Sequence, residues 1–265
     1  MPRRIVIHAG FHKTGTSTVQ AVLRDNAAAL APHLRGLLKE DMRPLLHAAR
    51  GFSTWRDPIS LVKFRLRFEA VLARQTDLTG RVLCLSAEEL SGHLPGRGPL
   101  ADYSAAPELA REMVQAAQGL WPGAELALFY STRAPDSWLT SAYSEHVKSS
   151  SLTLDWDAFA ETYAGAAELD RIVDRVAESV DCPVHRHRLE DSTRLPAGPA
   201  TPLLALCGLD PALIARLAVP SPANRRPDPA VLLDLLSANR AYPDRAARKA
   251  AKRAILTAAQ ENTGD

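Results

Sequence analysis

The sequence is poor in the features that mark disulfide-stabilised, zinc-binding and membrane-spanning proteins. Its three cysteines are Cys84, Cys182 and Cys207, which lie far apart and form no CxxC pair. A disulfide framework or a zinc site is therefore not expected, and no metal is predicted. No stretch approaches the roughly 18 apolar residues of a membrane span, and the apolar run after Arg3 and Arg4 is too short for a signal peptide. We expect a cytoplasmic protein without an integral membrane segment.

The sequence also lacks an excess of charge of one sign. Lysine and arginine number 32 and aspartate and glutamate 30, for a formal net charge of +2. Such a balance argues against a nucleic-acid partner, because binding to phosphates usually needs a marked basic excess. The basic stripe of residues 245–253 predicts either the solvated face of a helix or an electrostatic guide for an anionic acceptor. The sequence leaves open whether the protein forms an oligomer.

Apolar runs and helical periodicities alternate along the chain. Hydrophobic residues make up 46% of the sequence, enough for a sizeable core. Strands are predicted over residues 4–9, 81–85, 125–130 and 183–188, the last near a sheet edge. Helices are predicted over residues 19–30, 59–74, 108–120, 135–148, 156–180 (one or two) and beyond 200, with a loop over 219–229. This order predicts an α/β fold: a parallel sheet flanked by helices in three layers, a helical C-terminal part, and one domain over residues 1–265.

The strongest motif is IVIHAGFHKTGTSTVQ, residues 5–20, in which a strand enters a glycine-bearing loop that opens a helix. The amides of such a loop and the helix N-terminus together bind anions. Gly10 and Gly15 have the spacing of a Walker A loop, but Thr16 stands where that motif has its lysine, and the lysine is Lys13. A nucleoside-triphosphate enzyme needs its lysine after the second glycine to reach the outer phosphates. The loop therefore predicts a different phosphate ligand.

The stretch GFHKTGTS resembles the 5′-phosphosulfate loop of the sulfotransferase family, whose donor is 3′-phosphoadenosine 5′-phosphosulfate (PAPS), in a His-Lys-Thr-Gly-Thr form similar to bacterial members. The resemblance implies a P-loop NTPase-like sulfotransferase fold and a reaction that needs no metal. It implies that Lys13 contacts the oxygen bridging phosphate and sulfate. It also implies that Gly15, Thr16 and Ser17 hold the 5′-phosphate. The implied donor-binding loop comprises Gly10, Phe11, His12, Lys13, Thr14, Gly15, Thr16 and Ser17.

A second segment resembles the family's 3′-phosphate motif. Residues 126–144, LALFYSTRAPDSWLTSAYS, contain a strand followed by Arg133, with Ser141 eight positions later. Ligands of parallel sheets bind beyond the carboxyl ends of strands, where the planar guanidinium of Arg133 would offer a donor fork to a phosphate. Arg225 and Arg226 are similar in position and charge to the family's late basic loop, although the usual Arg-Lys-Gly form is absent.

Sulfuryl transfer needs a group that accepts the proton of the acceptor. Members of the family use a His or a Glu after a strand in the region that follows residues 81–85, and carbohydrate-modifying members commonly use Glu. We therefore predict Glu88 as the base, with Glu89 next; His12 and His146 are alternatives, and His12 is also placed to orient the sulfate. Partial burial is expected to help by raising the glutamate pKa above its ordinary value of about 4.3.

The sequence thus predicts an enzyme that moves a sulfuryl group from PAPS to a hydroxyl or amine. The acceptor is a small molecule or glycan, and the Glu88 assignment favours a carbohydrate or glycolipid. Acceptor specificity is expected in residues 35–75 and 145–180, because specificity in such folds lies in variable loops and helices. Two alternatives remain open: a P-loop kinase or other nucleotide-binding protein, and a non-catalytic module that binds the donor.

Overall fold

A computed structural model describes residues 1–220 and 227–261. It is an α/β structure built on one parallel five-stranded sheet in the order β2-β3-β1-β4-β5. The strands are β1 (Arg4–His8), β2 (Leu34–Leu37), β3 (Val82–Ser86), β4 (Glu125–Thr132) and β5 (Val184–Arg188). The predicted class, an α/β protein with a parallel sheet flanked by helices, is confirmed at this level. The predicted edge position of the last strand is also confirmed.

Helices make up most of the remaining chain. They are α1 (Thr16–Asp25), α2 (Ala27–Leu30), α3 (Arg43–Trp55), α4 (Pro58–Ala73), α5 (Ala106–Leu120), α6 (Pro135–Ser149), α7 (Trp156–Tyr163), α8 (Leu169–Ala177), α9 (Thr201–Leu206), α10 (Pro211–Ile214), α11 (Pro229–Ala241) and α12 (Arg245–Glu261). Short 3₁₀ turns include Lys39–Asp41 and Glu88–Ser91. Within residues 1–220 and 227–261, no helix has the length and apolar character needed to cross a bilayer.

The central strands are buried on both faces, which explains their continuous apolar sequence. Ile5, Val6 and Ile7 of β1 are at most 1% exposed. Val6 belongs to an apolar cluster that also contains Val19 of α1 and Cys84 of β3. Cys84 is a buried free thiol. Packing of α1 against the sheet sets the position of the loop that joins it to β1.

Two elements were not predicted. Strand β2 is only four residues long, and Arg35 and Gly36 interrupt its apolar character. Helix α3 follows it and begins with a proline in its first turn, a position that proline tolerates well. The buried side of α3 includes Leu45 and Phe52. β2 is the edge strand beside β3, and α3 packs against the 3₁₀ turn Glu88–Ser91 that follows β3. Both elements contribute residues to the candidate site.

The described chain divides into two compact units. Residues 1–134 and 168–220 form the first, which contains the whole sheet; residues 135–167 and 227–261 form the second, which is helical. The prediction of one domain stays a prediction. In the second unit, Lys252 of the basic stripe is buried, and its ammonium donates hydrogen bonds to Ser150 O and Asn239 Oδ1, both at 2.8 Å. The stripe is therefore not wholly a solvated face, because a buried ammonium needs internal acceptors.

Candidate functional site

The loop between β1 and α1 has an unusual backbone. Lys13 adopts a φ of 67° and Gly15 a φ of 90°. A left-handed conformation is uncommon for a residue such as lysine and is found at functional sites more often than elsewhere. Gly15 is the N-cap of α1, and because it has no side chain it leaves the first amides of the helix uncapped. An anion is the natural partner for such amides.

A buried polar network supports this loop from the sheet side. The Thr14 hydroxyl donates to Phe11 O at 2.6 Å and lies 2.8 Å from Ser131 Oγ. Ser131 Oγ lies 3.2 Å from His8 Nε2, and His8 Nδ1 lies 2.8 Å from Ser86 Oγ. Burial lowers the pKa of His8 to about 4, so its imidazole is neutral at pH 7. The network joins the carboxyl ends of β1, β3 and β4 to the loop.

Close packing fixes the first half of the loop. A Cβ atom at Gly10 would lie 2.6 Å from His8 Nε2 and 2.9 Å from Thr16 Cγ2. The Phe11 side chain is fully buried, and its ring centroid is 4.7 Å from that of Tyr103. Among the residues of the predicted donor loop, Phe11 therefore anchors the loop through its side chain, and only its backbone can face a ligand.

Arg133 brings the two predicted motifs together. It follows the last residue of β4, and its Nη1 donates a hydrogen bond to Lys13 O at 3.0 Å. Its Nε lies 3.8 Å from Glu190 Oε1. The chain leaves β1 toward β2 and β3 on one side of the sheet and leaves β4 toward β5 on the other. Lys13 and Arg133 therefore border the point where the connections diverge, which is where open α/β sheets bind ligands.

Four other predicted site residues do not belong to the described part of the first compact unit. Ser141 is a partly buried residue of α6, in the second compact unit. His146, an alternative base, is on the same helix, where it is fully buried, 5.8 Å from Phe159 between ring centroids. Arg225 and Arg226 lie outside the described residues.

Glu88 lies in a cluster of charged side chains after β3. It is 7% exposed, its Oε1 forms an ion pair with Lys39 Nζ, and its Oε2 accepts a hydrogen bond from Gln20 Nε2 at 3.0 Å. The same ammonium of Lys39 lies 3.4 Å from Glu89 Oε2, and Arg50 Nη1 lies 3.8 Å from Glu89 Oε1. Each carboxylate of the predicted base region therefore has a cation beside it.

The electrostatics of Glu88 differ from the expectation. Burial raises the pKa of Glu88, but its electrostatic interactions with His12 and Lys39 and the hydrogen bond from Lys39 outweigh burial and lower the pKa to about 2. Burial holds the pKa of His12 well below its usual range, so His12 is neutral at pH 7 and Lys39 is the cation that keeps Glu88 ionised. The expectation of a raised Glu88 pKa is wrong, because the unpredicted β2 segment delivers Lys39 to this carboxylate.

Tyr103 orients the imidazole of His12. The Tyr103 hydroxyl accepts a hydrogen bond from the His12 amide at 3.2 Å and lies 3.2 Å from His12 Nδ1. Burial raises the pKa of Tyr103, so the phenol keeps its proton and can donate it to Nδ1. A neutral imidazole that accepts at Nδ1 carries its own proton on Nε2. This tautomer, assigned from the hydrogen bonds, makes His12 a donor suited to an anionic oxygen.

His12, Glu88 and Glu89 also have the spacing of a metal site, since one ligand atom from each lies within 4.8 Å of the others. Imidazole and carboxylate ligands are typical of zinc. Lys39, however, lies against both carboxylates and already supplies the positive charge that an ion would bring. That the reaction needs no metal remains a prediction.

The sequence matches no family model and no curated protein. Any functional assignment therefore depends on the site itself.

Four residues of the site were missed by sequence reasoning: Gln20, Lys39, Tyr103 and Ser131. A signal existed for Ser131, which lies at the carboxyl end of the strand preceding Arg133 and so near the loop after β1. Lys39 could have been found only by recognising β2, which ends two residues before it. Gln20 and Tyr103 carry no local signal, because their partners are 68 and 91 residues away along the chain.

Proposed function

We propose that this protein transfers a sulfuryl group from PAPS to a hydroxyl or amine of an acceptor. The observation that carries the proposal is the hydrogen bond from Arg133 to the carbonyl of Lys13. It joins a phosphate-type loop, in which the lysine precedes the second glycine, to an arginine at the end of a neighbouring strand. A donor with phosphates at both the 5′ and the 3′ positions would use both features.

In this proposal the loop binds the 5′-phosphosulfate of the donor. The uncapped amides at the start of α1 face the phosphate, with the Thr16 and Ser17 hydroxyls nearby. Lys13 neutralises the oxygen that bridges phosphate and sulfate, and Arg133 extends its guanidinium toward the 3′-phosphate. Thr14 contributes indirectly, because its hydroxyl is occupied within the supporting network.

The reaction proposed is an in-line displacement at sulfur. The acceptor oxygen forms a bond to sulfur as the bond between sulfur and the bridging oxygen breaks, and the electron pair of that bond remains on the departing phosphate. Lys13 and the loop amides stabilise this charge. The pKa of about 2 makes Glu88 a weak base, so the acceptor's proton passes to Glu88 only as the bond to sulfur forms and the acceptor oxygen becomes acidic. The Lys39 ammonium is then held by Glu89, 3.4 Å away. His12 donates from Nε2 to a sulfate oxygen.

Two features speak against the P-loop kinase alternative. Thr16 replaces the lysine that would reach the outer phosphates. In addition, β3, the strand beside β1, ends in Ser86, whose hydroxyl is bonded to His8, whereas a P-loop NTPase uses a Walker B aspartate to hold magnesium. Sulfuryl transfer from PAPS to any acceptor would distinguish an enzyme from the alternative of a non-catalytic donor-binding module.

The test is calorimetric titration with 3′-phosphoadenosine 5′-phosphate, adenosine 5′-phosphate, ADP and ATP. We expect the 3′,5′-bisphosphate to bind selectively. Arg133→Ala should weaken binding of the bisphosphate by about tenfold or more. Binding of adenosine 5′-phosphate should change much less, because this nucleotide has no 3′-phosphate. Arg111→Ala, an exposed arginine of α5, is the matched control.

Equal or tighter binding of ATP, insensitive to Arg133→Ala, would contradict the proposal and support a kinase. If Arg133→Ala weakens the bisphosphate and adenosine 5′-phosphate to a similar extent, Arg133 acts only through its hydrogen bond to the Lys13 carbonyl. Lys13→Ala should retain bisphosphate binding more than it retains sulfuryl transfer, since the lysine is proposed to act mainly as the bond to sulfur breaks.

A further inference from the structure

A small cavity with a volume of 180 Å³ opens beside the Glu88–Lys39 pair, in the first compact unit. It lies between the 3₁₀ turn after β2 and helix α3. The charged and titratable side chains that line it are Lys39, Glu40, Arg43, His47, Arg50 and Glu89. Whole-ligand pockets are commonly about 300 Å³ or larger, so this cavity suits one charged substituent of a ligand better than a complete ligand.

The carboxylates of the cavity are already neutralised. Arg24 Nη2 lies 3.2 Å from Glu40 Oε1. The pKa of Glu40 is lowered by its own backbone hydrogen bond, by the hydrogen bond and charge of Arg24, and by the charge of Arg43. Glu89 has Lys39 at 3.4 Å and Arg50 at 3.8 Å. Neither acid therefore presents an uncompensated negative charge to an incoming anion.

Arg43 and His47 remain available in the cavity. They are four residues apart on α3 and so share one helix face, which Arg50 continues three residues later. Both are exposed, and neither forms a hydrogen bond or an ion pair within residues 1–220 and 227–261. A guanidinium fork beside an imidazole N–H is a donor set that suits sulfate, carboxylate or phosphate oxygens.

We propose that this cavity binds an anionic group of the acceptor, so that the acceptor is a negatively charged compound carrying a sulfate, carboxylate or phosphate group. The acceptor role rests on the proposed sulfotransferase function, whereas the anion site stands on its own geometry. Glu89 lines the cavity and Glu88 is its neighbour in the chain, while Lys39 touches both. An acceptor anchored at Arg43 and His47 therefore presents its uncharged part toward Glu88.

The first experiment titrates inorganic sulfate while following the imidazole signal of His47 by NMR. The signal is assigned from its absence in His47→Gln, and 3′-phosphoadenosine 5′-phosphate is present in excess to occupy the loop. We expect a saturable shift of the His47 signal, weakened about tenfold by Arg43→Ala. The control variant Arg111→Ala should leave the shift of the His47 signal unchanged.

The outcomes separate the two proposals. A His47 shift that persists while the bisphosphate fails to bind would sink the sulfotransferase function and keep the anion site. Normal bisphosphate binding without a His47 shift, or with a shift unaffected by Arg43→Ala, would overturn the anion site alone.

A second experiment separates the sources of the anion and uses the same signal. One arm titrates a sulfated monosaccharide, and the other uses vesicles of phosphatidylcholine with phosphatidylglycerol, each compared between the wild type and Arg43→Ala. An Arg43-dependent response to the sugar assigns a soluble anionic acceptor, and a response to vesicles alone assigns a lipid headgroup. If neither responds where sulfate does, the acceptor role is contradicted.

Discussion

The ammonium of Lys39 lies against Glu88 and 3.4 Å from Glu89. The substitution Lys39→Met removes this cation from two buried carboxylates. Because Lys39 is one-third exposed, we expect a destabilisation of about 1–2 kcal/mol at pH 7, less than for a fully buried pair. Lys63→Met, at an exposed position of α4, is the control. Urea unfolding at pH 7 measures the free energy of unfolding of each variant relative to the wild type.

The same variant has a defined pH dependence. In the wild type the Glu88 pKa is lowered to about 2, so its stabilising contribution is present above its ordinary pKa and is lost as the pH falls toward 2. In Lys39→Met, burial raises the Glu88 pKa, so the folded state takes up a proton at higher pH. The stability gap between the two proteins should narrow between pH 7 and pH 3. A gap that widens on acidification would contradict the assignment of Lys39 as the controlling cation.

The buried side chain of His8 makes a separate contribution to the pH dependence of stability. Its pKa is lowered to about 4 by burial, so on acidification the unfolded chain takes up a proton before the folded protein does. Stability is therefore lost as the pH falls from about 6.5 toward 4, by about 2 kcal/mol between pH 6.5 and pH 5. His8→Gln should remove this part of the pH slope in urea unfolding, while His185→Gln, at an exposed position, should retain it.

Among the elements, the loop after β1 requires glycine at position 10, because the buried polar network around it leaves no space for a Cβ atom. A Cβ atom at Gly10 would lie 2.6 Å from His8 Nε2. Gly10→Ala should therefore destabilise the fold by about 1–3 kcal/mol and weaken bisphosphate binding in calorimetry.

Gly119→Ala provides the contrast. Nothing lies within 4 Å of a Cβ atom at Gly119, which is in α5, so alanine there should be neutral or stabilising by up to about 1 kcal/mol. If Gly10→Ala and Gly119→Ala changed the free energy of unfolding equally, the buried polar network would not constrain the loop.

Three of the strands predicted correctly have sequences that are dictated by burial on both faces. β1, β3 and β4 are runs of apolar residues, and parallel strands at the centre of a sheet have no polar face to interrupt them. β2 is an edge strand, and only Leu34 and Leu37 of its four residues are buried, too few to show a period. The helix predicted over residues 19–30 is divided at Asn26, whose side chain donates to Val22 O at 2.8 Å and so competes with the helical backbone.

At the scale of the whole molecule, the second compact unit is made of two chain segments joined only through residues 168–226. Its apolar core includes Val147, Leu235 and Leu236, which come from both segments. Bringing them together requires closing a long loop, an entropic cost that folding of the intervening residues reduces. We therefore expect the second unit to unfold with the first or before it, and not after it.

Tryptophans report on each unit separately. Trp55 and Trp121 lie in the first unit, and Trp138 and Trp156 lie in the second. Variants that retain one pair, with phenylalanine in place of the other, should give coincident urea transitions, or an earlier transition for the second unit. A second-unit signal that persists after the first unit has unfolded would contradict this expectation and show two independently stable domains.

Local features of this protein follow from its sequence alone: the central strands, most of the helices, and the glycine-bearing loop that joins β1 to α1. These depend on residues near one another in the chain. Which side chains come into contact depends on the tertiary fold. Lys39 reaches Glu88 across 49 residues and Arg133 reaches Lys13 across 120, because strand order places β2 beside β3 and β4 beside β1. The charge of Glu88 is set by a side chain that arrives with an edge strand, and no local pattern around Glu88 records it.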